Sequence, residues 1–334
     1  MLNPAFIKEA FMILSFRRLM RLCFLASMCG GAWAQPQTVE FNSLDRKQGF
    51  PALLSGRAIY SDKISGVFTR PEKADGNVPV MVIMHGSGGK SDIGTGEWSR
   101  YFLSMGIATL EVDSFGPRGI TATAADQSQL SYAASTVDAL MALQAVAKLP
   151  GVDVSKVGVI GFSRGGQAST NSGYVRVRSA VLKESKLAFA LHIALYGGCS
   201  MFGTPDKTPI LFLMGDDDDY VAPATCSRFV DAMRSRGASI AFEVYPNTKH
   251  GFDQDRKDLR APRAQTWKTC APRYQDIDSL TYSVGGKDVS GKEYGEAMGK
   301  CMTTGVTVGP NYQSRDLARA SVTRFVRKNF ASGS

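Results

Sequence analysis

The chain has 334 residues, of which 44% are hydrophobic and 21% are charged, and its formal net charge at pH 7 is +9. This composition excludes an intrinsically disordered or collagen-like chain, and it provides enough apolar residues for one large core or two modest ones. The basic residues are scattered rather than gathered in a block with interleaved aromatic residues. We therefore predict no nucleic-acid partner and interpret the charge as favouring solubility and anionic substrates.

The N-terminal segment has the features of a secretory signal peptide. Three arginines precede a short apolar run, and an A-x-A cleavage motif follows it and ends at Ala34. We predict a signal peptide over residues 1–34, cleavage near Ala34 and a periplasmic or extracellular location. The apolar run is shorter than the roughly 20 residues of a membrane-spanning helix, so no stable membrane anchor is predicted. Lipidation of Cys29 remains an alternative, and Met12 and Met20 remain alternative start sites.

Four cysteines remain after the predicted cleavage. In an oxidising compartment this even number indicates two disulfides, for which three pairings exist. We favour Cys199–Cys226 and Cys270–Cys301, because each of these pairs closes a short local loop. Free buried thiols are the alternative. A zinc site is disfavoured because the chain has neither a C-x-x-C motif nor paired histidines.

Apolar runs alternate with helix-compatible stretches along most of the remaining chain. Short runs that are apolar throughout are typical of parallel strands that helices cover on both faces. The predicted strands are 78–84, 107–112, 157–160, 187–196, 210–214 and 240–245. The predicted helices are 97–105, 129–147, 167–177, 224–236 and 314–330. This alternation predicts an α/β fold in which a mostly parallel, doubly wound sheet is flanked by helices.

Two regions depart from this alternation. Residues 35–63 form a predicted lead-in, with an edge strand as one option, and residues 253–313 form a long polar segment rich in glycine. A structureless run of that length is rare inside a compact domain, so we predict a disulfide-pinned insertion near the substrate entrance. The chain shows no internal repeat and no low-complexity linker. We therefore predict one catalytic domain over residues 35–334.

Ser163 stands at the centre of a G-x-S-x-G motif that runs from Gly161 to Gly165. The motif follows a β-branched run and precedes a helix-compatible stretch, which is the context of a nucleophile elbow. A nucleophilic serine also needs a base within reach and a third group that orients the base. We predict that Ser163 is the nucleophile, and a turn serine is the alternative.

The base must come from three histidines. His250 lies in a polar turn after the last predicted strand, which fits the chain order serine, acid, histidine. His192 lies inside an apolar run and is predicted to be a core histidine. His85 opens a glycine-rich loop, which its ring is predicted to support. We therefore predict that His250 is the base.

The acid is sought in the acidic run 216–219, which follows a predicted strand. Such a run is more often a solvated loop. A helix-loop-helix calcium site is excluded because the run lacks the glycine and the glutamate that this loop requires. From the spacing after the strand we predict Asp218 as the acid, with Asp219 as the second choice.

Further residues are predicted to bind the substrate. The backbone amides of Ser87 and Arg164 are predicted to form an oxyanion hole, since one lies in a glycine-rich loop and the other follows the nucleophile. Arg118 lies just past a predicted strand and is predicted to bind a substrate carboxylate, with loop bracing as the alternative. Phe115 and Tyr220 are predicted to line an apolar pocket.

As a set, five motifs resemble the dienelactone hydrolase family, and in particular its exported branch with a serine nucleophile. The motifs are HGSGG at 85–89, DSFGPRG at 113–119, GFSRGG at 161–166, GDDDDYVAP at 215–223 and HGFD at 250–253. The resemblance covers roughly residues 55–253 and the final helix. It implies an α/β-hydrolase fold and hydrolysis of a small-molecule carboxylic ester or lactone through an acyl-enzyme, without a metal or other cofactor.

One departure from the family pattern concerns the nucleophile. The founding dienelactone-cleaving enzymes use cysteine, whereas position 163 is serine and none of the four cysteines lies in the elbow. This difference favours a more general ester chemistry over cleavage of dienelactone itself. A peptidase or amidase with the same triad remains an alternative, as does a non-catalytic binding module on a hydrolase fold.

Overall fold

The computed structural model describes residues 35–331 except 73, 75 and 258, and an eight-stranded sheet organises this part of the chain. The described strands are β1 (Gln37–Ser43), β2 (Asp62–Thr69), β3 (Val78–Met84), β4 (Ala108–Asp113), β5 (Val152–Phe162), β6 (Leu191–Leu195), β7 (Met201–Phe202), β8 (Ile210–Gly215), β9 (Ile240–Tyr245), β10 (Arg260–Thr266), β11 (Arg273–Asp276), β12 (Thr281–Val284), β13 (Lys287–Val289) and β14 (Thr303–Thr307). The described α-helices are α1 (Phe50–Leu54), α2 (Thr95–Ser104), α3 (Tyr132–Val146), α4 (Arg164–Ser172), α5 (Val175–Leu182), α6 (Pro223–Ser235), α7 (Gly291–Cys301) and α8 (Tyr312–Ala331).

The large sheet has the strand order β1-β2-β4-β3-β5-β6-β8-β9. The pairs β1/β2 and β2/β4 are antiparallel, and the strands from β4 to β9 in this order pair in parallel. Every residue of β6 and β8 is buried, because both faces of the sheet are covered. The predicted fold class, a mostly parallel doubly wound sheet flanked by helices, is confirmed.

The sheet separates two hydrophobic cores. Val80 and Val82 of β3 belong to one core, whereas Met81 and Ile83 belong to the other, since successive side chains of a strand point to opposite faces. Helices α1, α3, α5 and α6 cover the first core, and α2 and α8 cover the second. The carboxyl ends of the parallel strands meet at one edge of this sandwich, which is where ligands bind in sheets of this type.

Most predicted strands agree with the observed strands within one or two residues, but two differences stand out. β2 was missed, because its alternation of buried Ile64 and Phe68 with more exposed neighbours is interrupted by Gly66. The helix predicted over 167–177 is wrong as a single helix, since α4 and α5 are separate. The break falls at Gly173, where an added Cβ would lie 2.9 Å from Nε2 of His192.

The segment 253–313, predicted as an insertion, contains its own secondary structure. β10 pairs with β14, and β13, β12 and β11 form a small sheet with β7. The disulfides Cys199–Cys226 and Cys270–Cys301 are present, which confirms the predicted pairing. The described residues from Pro36 onward form one compact unit. The predicted signal peptide lies outside the described residues, and none of the described helices is long and apolar enough to span a bilayer.

Candidate active site

Ser163 lies in a sharp turn between β5 and α4. Its backbone has φ 53° and ψ −113°, a strained conformation for a residue other than glycine. The turn brings the chain very close to itself, since a Cβ on Gly161 would lie 2.0 Å from the carbonyl oxygen of Gly165. A Cβ on Gly165 would lie 2.1 Å from the carbonyl oxygen of Met84. The glycines of the motif are therefore required by close approach, and the turn presents Ser163 at the carboxyl edge of the sheet.

His250 and Asp218 form a buried pair in the loops that follow β9 and β8. Nδ1 of His250 lies 2.8 Å from Oδ2 of Asp218, and the two residues are 4% and 3% exposed. The other oxygen of Asp218 accepts hydrogen bonds from the amides of Tyr220 (2.9 Å) and Val221 (2.8 Å). Within the described part of the chain, Nε2 of His250 is buried and has no hydrogen-bond partner. That nitrogen is therefore available to exchange a proton with a bound group.

Two tyrosine rings enclose the imidazole of His250. The ring centroid of Tyr196 lies 4.5 Å from that of His250, and the centroid of Tyr220 lies at 4.7 Å. The hydroxyl of Tyr196 donates to buried Asp253 at 2.6 Å, and the indole N–H of Trp98 donates to the same carboxylate at 2.8 Å. Burial raises the pKa of Asp253. The two tyrosine rings contact the imidazole at tilted angles of 56° and 51° and restrict its rotation.

The loop 85–89 lies directly against the nucleophile turn. A Cβ on Gly86 would lie 3.1 Å from the carbonyl oxygen of Phe162 and 3.4 Å from Cβ of Ser163. The same loop carries Ser87, whose amide was predicted for the oxyanion hole. Arg164 is the first residue of α4, where the amide N–H has no partner within the helix and the helix dipole is positive. The structure thus brings both predicted amides into the neighbourhood of Ser163.

Gln127 connects the residues of this region and was missed by the sequence analysis. Its side-chain amide exchanges hydrogen bonds with the hydroxyl of Ser87 at 3.1 and 3.2 Å. It also accepts from Nη2 of Arg164 at 2.6 Å and donates to the hydroxyl of Tyr220 at 3.2 Å. Burial raises the pKa of Tyr220 to about 12, so this hydroxyl stays neutral. Gln127 lies in a short polar turn with no motif, so no sequence signal marked it.

The guanidinium of Arg164 is buried among neutral groups. It donates to the carbonyl oxygens of Leu130 (2.8 Å) and Gln127 (2.9 Å) and lies 4.3 Å from the ring centroid of Tyr132. Within the described ranges none of its hydrogen-bond or ion-pair partners is a carboxylate, and its Nε has no partner. Burial lowers the pKa of Arg164. A buried cation without a carboxylate partner is costly, and here it lies next to the nucleophile.

Arg118 and Phe115 do not reach the cavities near Ser163, which corrects two predictions. The guanidinium of Arg118 forms two hydrogen bonds with the buried carboxylate of Asp138, at 2.7 and 2.9 Å, and its Nε lies 2.5 Å from Asp62. Burial alone would lower the pKa of Arg118, but the carboxylates of Asp138 and Asp62 outweigh it and raise the pKa. Phe115 packs against the ring of His85 at 4.3 Å. These contacts favour loop bracing for Arg118 and core packing for Phe115.

Replacing Arg118 with alanine is expected to destabilise the fold rather than to weaken substrate binding. Asp138 would keep a buried carboxylate without its cation, which costs about 3–5 kcal/mol in comparable cases. Urea unfolding measures this loss. The matched control is Lys63→Ala, which removes an exposed ion pair with Glu40 and should change stability little. A stable Arg118→Ala protein with a raised KM would instead restore the substrate-binding role.

The other two histidines occupy the places that the sequence analysis gave them. Nδ1 of His85 bonds the carbonyl oxygen of Gly86 at 2.8 Å and its Nε2 accepts from the amide of Ser114 at 3.1 Å, so the ring supports its own loop. His192 is buried, and its Nδ1 bonds the carbonyl oxygen of Ser169 at 2.7 Å. Burial lowers the pKa of both rings.

Two cavities meet at Ser163. One has a volume of about 450 Å³ and the other about 330 Å³, and Ser87, Ser163 and Tyr220 line both. His250 lines the smaller cavity, whereas the larger one extends beneath the insertion. Among the described residues, no group of three or more His, Cys, Asp or Glu side chains could hold a metal ion.

Comparison with known proteins places the chain in a family. The sequence pattern of the dienelactone hydrolase family matches residues 64–271. A thermophilic esterase from the planctomycete Thermogutta terrifontis is 16% identical, with a TM-score of 0.47 over 63% of this chain and 85% of that one. A dienelactone hydrolase-like promiscuous phosphotriesterase from metagenomic libraries is 19% identical, with a TM-score of 0.43 over 64% of this chain and 84% of that one. Because the family pattern spans more than half of its length, the chain belongs to the dienelactone hydrolase family of hydrolases.

Proposed function

We propose that the protein is a serine hydrolase that cleaves carboxylic esters or lactones through an acyl-enzyme, with Ser163, His250 and Asp218 as its triad. The observation that carries this proposal is the buried His250–Asp218 pair: Nε2 of His250 has no hydrogen-bond partner among the described residues, and His250 lines the cavity that Ser163 also lines. The strained backbone of Ser163 supports it, since an exposed nucleophile on a strand-to-helix turn has this geometry.

In the proposed reaction Oγ of Ser163 forms a bond to the ester carbonyl carbon, and its proton passes to Nε2 of His250. Asp218 holds the imidazole through Nδ1 and stabilises the imidazolium. The amides of Ser87 and Arg164 donate to the oxyanion. When the intermediate collapses, the bond from carbon to the alcohol oxygen breaks and His250 protonates that oxygen. Water repeats the sequence on the acyl-enzyme and releases the acid and free Ser163.

The proposal extends to the location of the enzyme. Two disulfides support an oxidising compartment, since such bonds are rare in reducing cytosol. We therefore propose that the protein is exported and acts on small molecules in the periplasm or outside the cell.

An ester and an anilide that share one acyl group test the reaction class. We expect hydrolysis of the ester while the anilide stays intact over the same time, because an alcohol leaves more readily than an amine. Anilide cleavage at a matching rate, lost in Ser163→Ala, would indicate the peptidase or amidase. If folded protein hydrolyses neither compound, the enzyme proposal fails, and the non-catalytic binding module becomes the favoured alternative.

A further inference from the structure

The two cavities at Ser163 differ in which catalytic group they contain. His250 lines only the smaller cavity, of about 330 Å³. Arg164, Gln127 and several residues of the insertion between Trp267 and Met298 line the larger one, of about 450 Å³. A bound ester has two arms that diverge from its carbonyl carbon, so the two cavities offer one place for each arm.

Proton transfer decides which arm enters which cavity. The alcohol oxygen must receive a proton as its bond to carbon breaks, and a general acid has to lie within hydrogen-bond reach of that oxygen. His250 is the acid of the proposed function, on which this step rests. The alcohol arm therefore extends into the smaller cavity, beside His250, and the acyl arm extends into the larger one.

Aromatic and sulfur-containing side chains form much of the wall of the larger cavity. Its aromatic members are Tyr132, Tyr220, Trp267 and Tyr294, and Met201 and Met298 lie among them. The indole of Trp267 is held by a hydrogen bond to the carbonyl oxygen of Met298 at 3.1 Å. Aromatic walls and methionine sulfur favour a flat, polarisable ring over a flexible alkyl chain.

The charged side chains that line the larger cavity are all positive among the described residues. The cavity is lined by Arg164, Arg228, Lys268 and Arg273, and no Asp or Glu is among its described lining residues. Lys268 already pairs with Asp219 at 3.1 Å. Arg273 donates from Nη1 to the carbonyl oxygen of Trp267 at 3.1 Å, which is a neutral partner. Burial lowers the pKa of Arg273.

A guanidinium has five N–H donors, and Arg273 has more donors than its hydrogen bond to Trp267 uses. We propose that the larger cavity is the acyl subsite, and that it selects an aromatic acyl group whose ring carries an oxygen acceptor for Arg273. The substrates are then esters of oxygen-substituted aromatic acids with small alcohols. Arg273, Tyr294 and Met298 lie beyond the residues 64–271 that match the family pattern, so this part of the wall lies outside the matched segment.

Four methyl esters and one reversed ester test the proposal on the wild-type enzyme. Methyl benzoate, methyl 4-hydroxybenzoate, monomethyl terephthalate and methyl butyrate vary the acyl arm, and benzyl acetate moves the ring to the alcohol arm. We expect the highest kcat/KM for either methyl 4-hydroxybenzoate or monomethyl terephthalate. The better of these two shows whether the site prefers a hydroxyl or a carboxylate on the ring. We expect benzyl acetate to be poorer than methyl benzoate. Equal rates for those two compounds would overturn the assignment of the cavities.

Arg273→Ala tests the recognition of the oxygen. We expect KM for the preferred oxygen-substituted ester to rise roughly tenfold or more, since a hydrogen bond to a charged donor is lost. KM for methyl benzoate should change far less, and Arg273→Lys should recover part of the loss. Lys287→Ala is the control, because this exposed lysine of β13 lies outside both cavities. A change of both KM values by the same factor would overturn the role of Arg273.

The outcomes for the two proposals are separable. If p-nitrophenyl acetate is hydrolysed in a Ser163-dependent way but the acyl series shows no preference, the subsite proposal fails and the serine esterase stands. If no ester is hydrolysed, including p-nitrophenyl acetate, the proposed function itself fails.

Discussion

Replacing Ser163 with alanine is expected to lower kcat for a preferred ester by about 10⁴-fold or more, because no oxygen remains to form the acyl-enzyme. The side chain is small and only partly buried, so the substitution should leave the fold intact. Initial-rate kinetics on purified protein measure the loss, and circular dichroism checks the fold.

Ser185→Ala is the matched control for this prediction. Ser185 is exposed in the loop after α5 and lines neither cavity. The Ser185→Ala protein should retain wild-type activity. A Ser163→Ala protein that keeps more than a small part of the wild-type turnover would show that another group attacks the substrate.

Asp218→Asn is expected to lower kcat by about 10⁴-fold with little change in KM. An asparagine can still accept the amides of Tyr220 and Val221 through its oxygen, but its NH₂ group would then face Nδ1 of His250. This arrangement favours the tautomer with the proton on Nε2, which cannot accept a proton from Ser163. The pH dependence of kcat and the thermal stability of the variant complete the measurement.

The neighbouring aspartates provide controls with the same chemical change. Asp217 is exposed and pairs with Lys249, and Asp217→Asn should leave kcat unchanged. Asp219 accepts from the amide of Thr307 at 2.8 Å and pairs with Lys268, so Asp219→Asn should affect mainly the attachment of the insertion. Partial burial alone would raise the pKa of Asp219, but these bonds outweigh it and lower the pKa. If Asp219→Asn rather than Asp218→Asn abolished turnover, the second choice for the acid would be the right one.

The sequence was most informative where a strand is buried on both faces. β3 and β8 lie within one residue of their predicted bounds, because a parallel strand between two layers of helices must be largely apolar. β9 matches its predicted bounds as well, although it is the edge strand and its central residues are partly exposed. Polar residues that directly follow such strands lie at one edge of the sheet. This rule explains why Asp218 and His250, which are 32 residues apart, could be predicted as neighbours and lie 2.8 Å apart.

Features that depend on distant contacts could not be predicted. At the break between α4 and α5, Gly173 lies against His192 of β6, a residue 19 positions further along the chain. Arg118 stands in a motif that follows a strand, where a substrate contact is the natural interpretation, yet its carboxylate partner Asp138 comes from α3. In the sequence, Tyr196 was marked only as the last residue of the predicted strand 187–196, and Asp253 only as part of the HGFD motif.

Labelling with a fluorophosphonate probe, followed by mass spectrometry of the intact protein and its peptides, tests the central claim most directly. The probe reacts with a serine whose hydroxyl is activated by a neighbouring base. We predict one adduct per chain on the peptide that contains Ser163, and none in the Ser163→Ala protein. The absence of an adduct on folded wild-type protein, or an adduct on another serine, would contradict the assignment of Ser163 as the nucleophile.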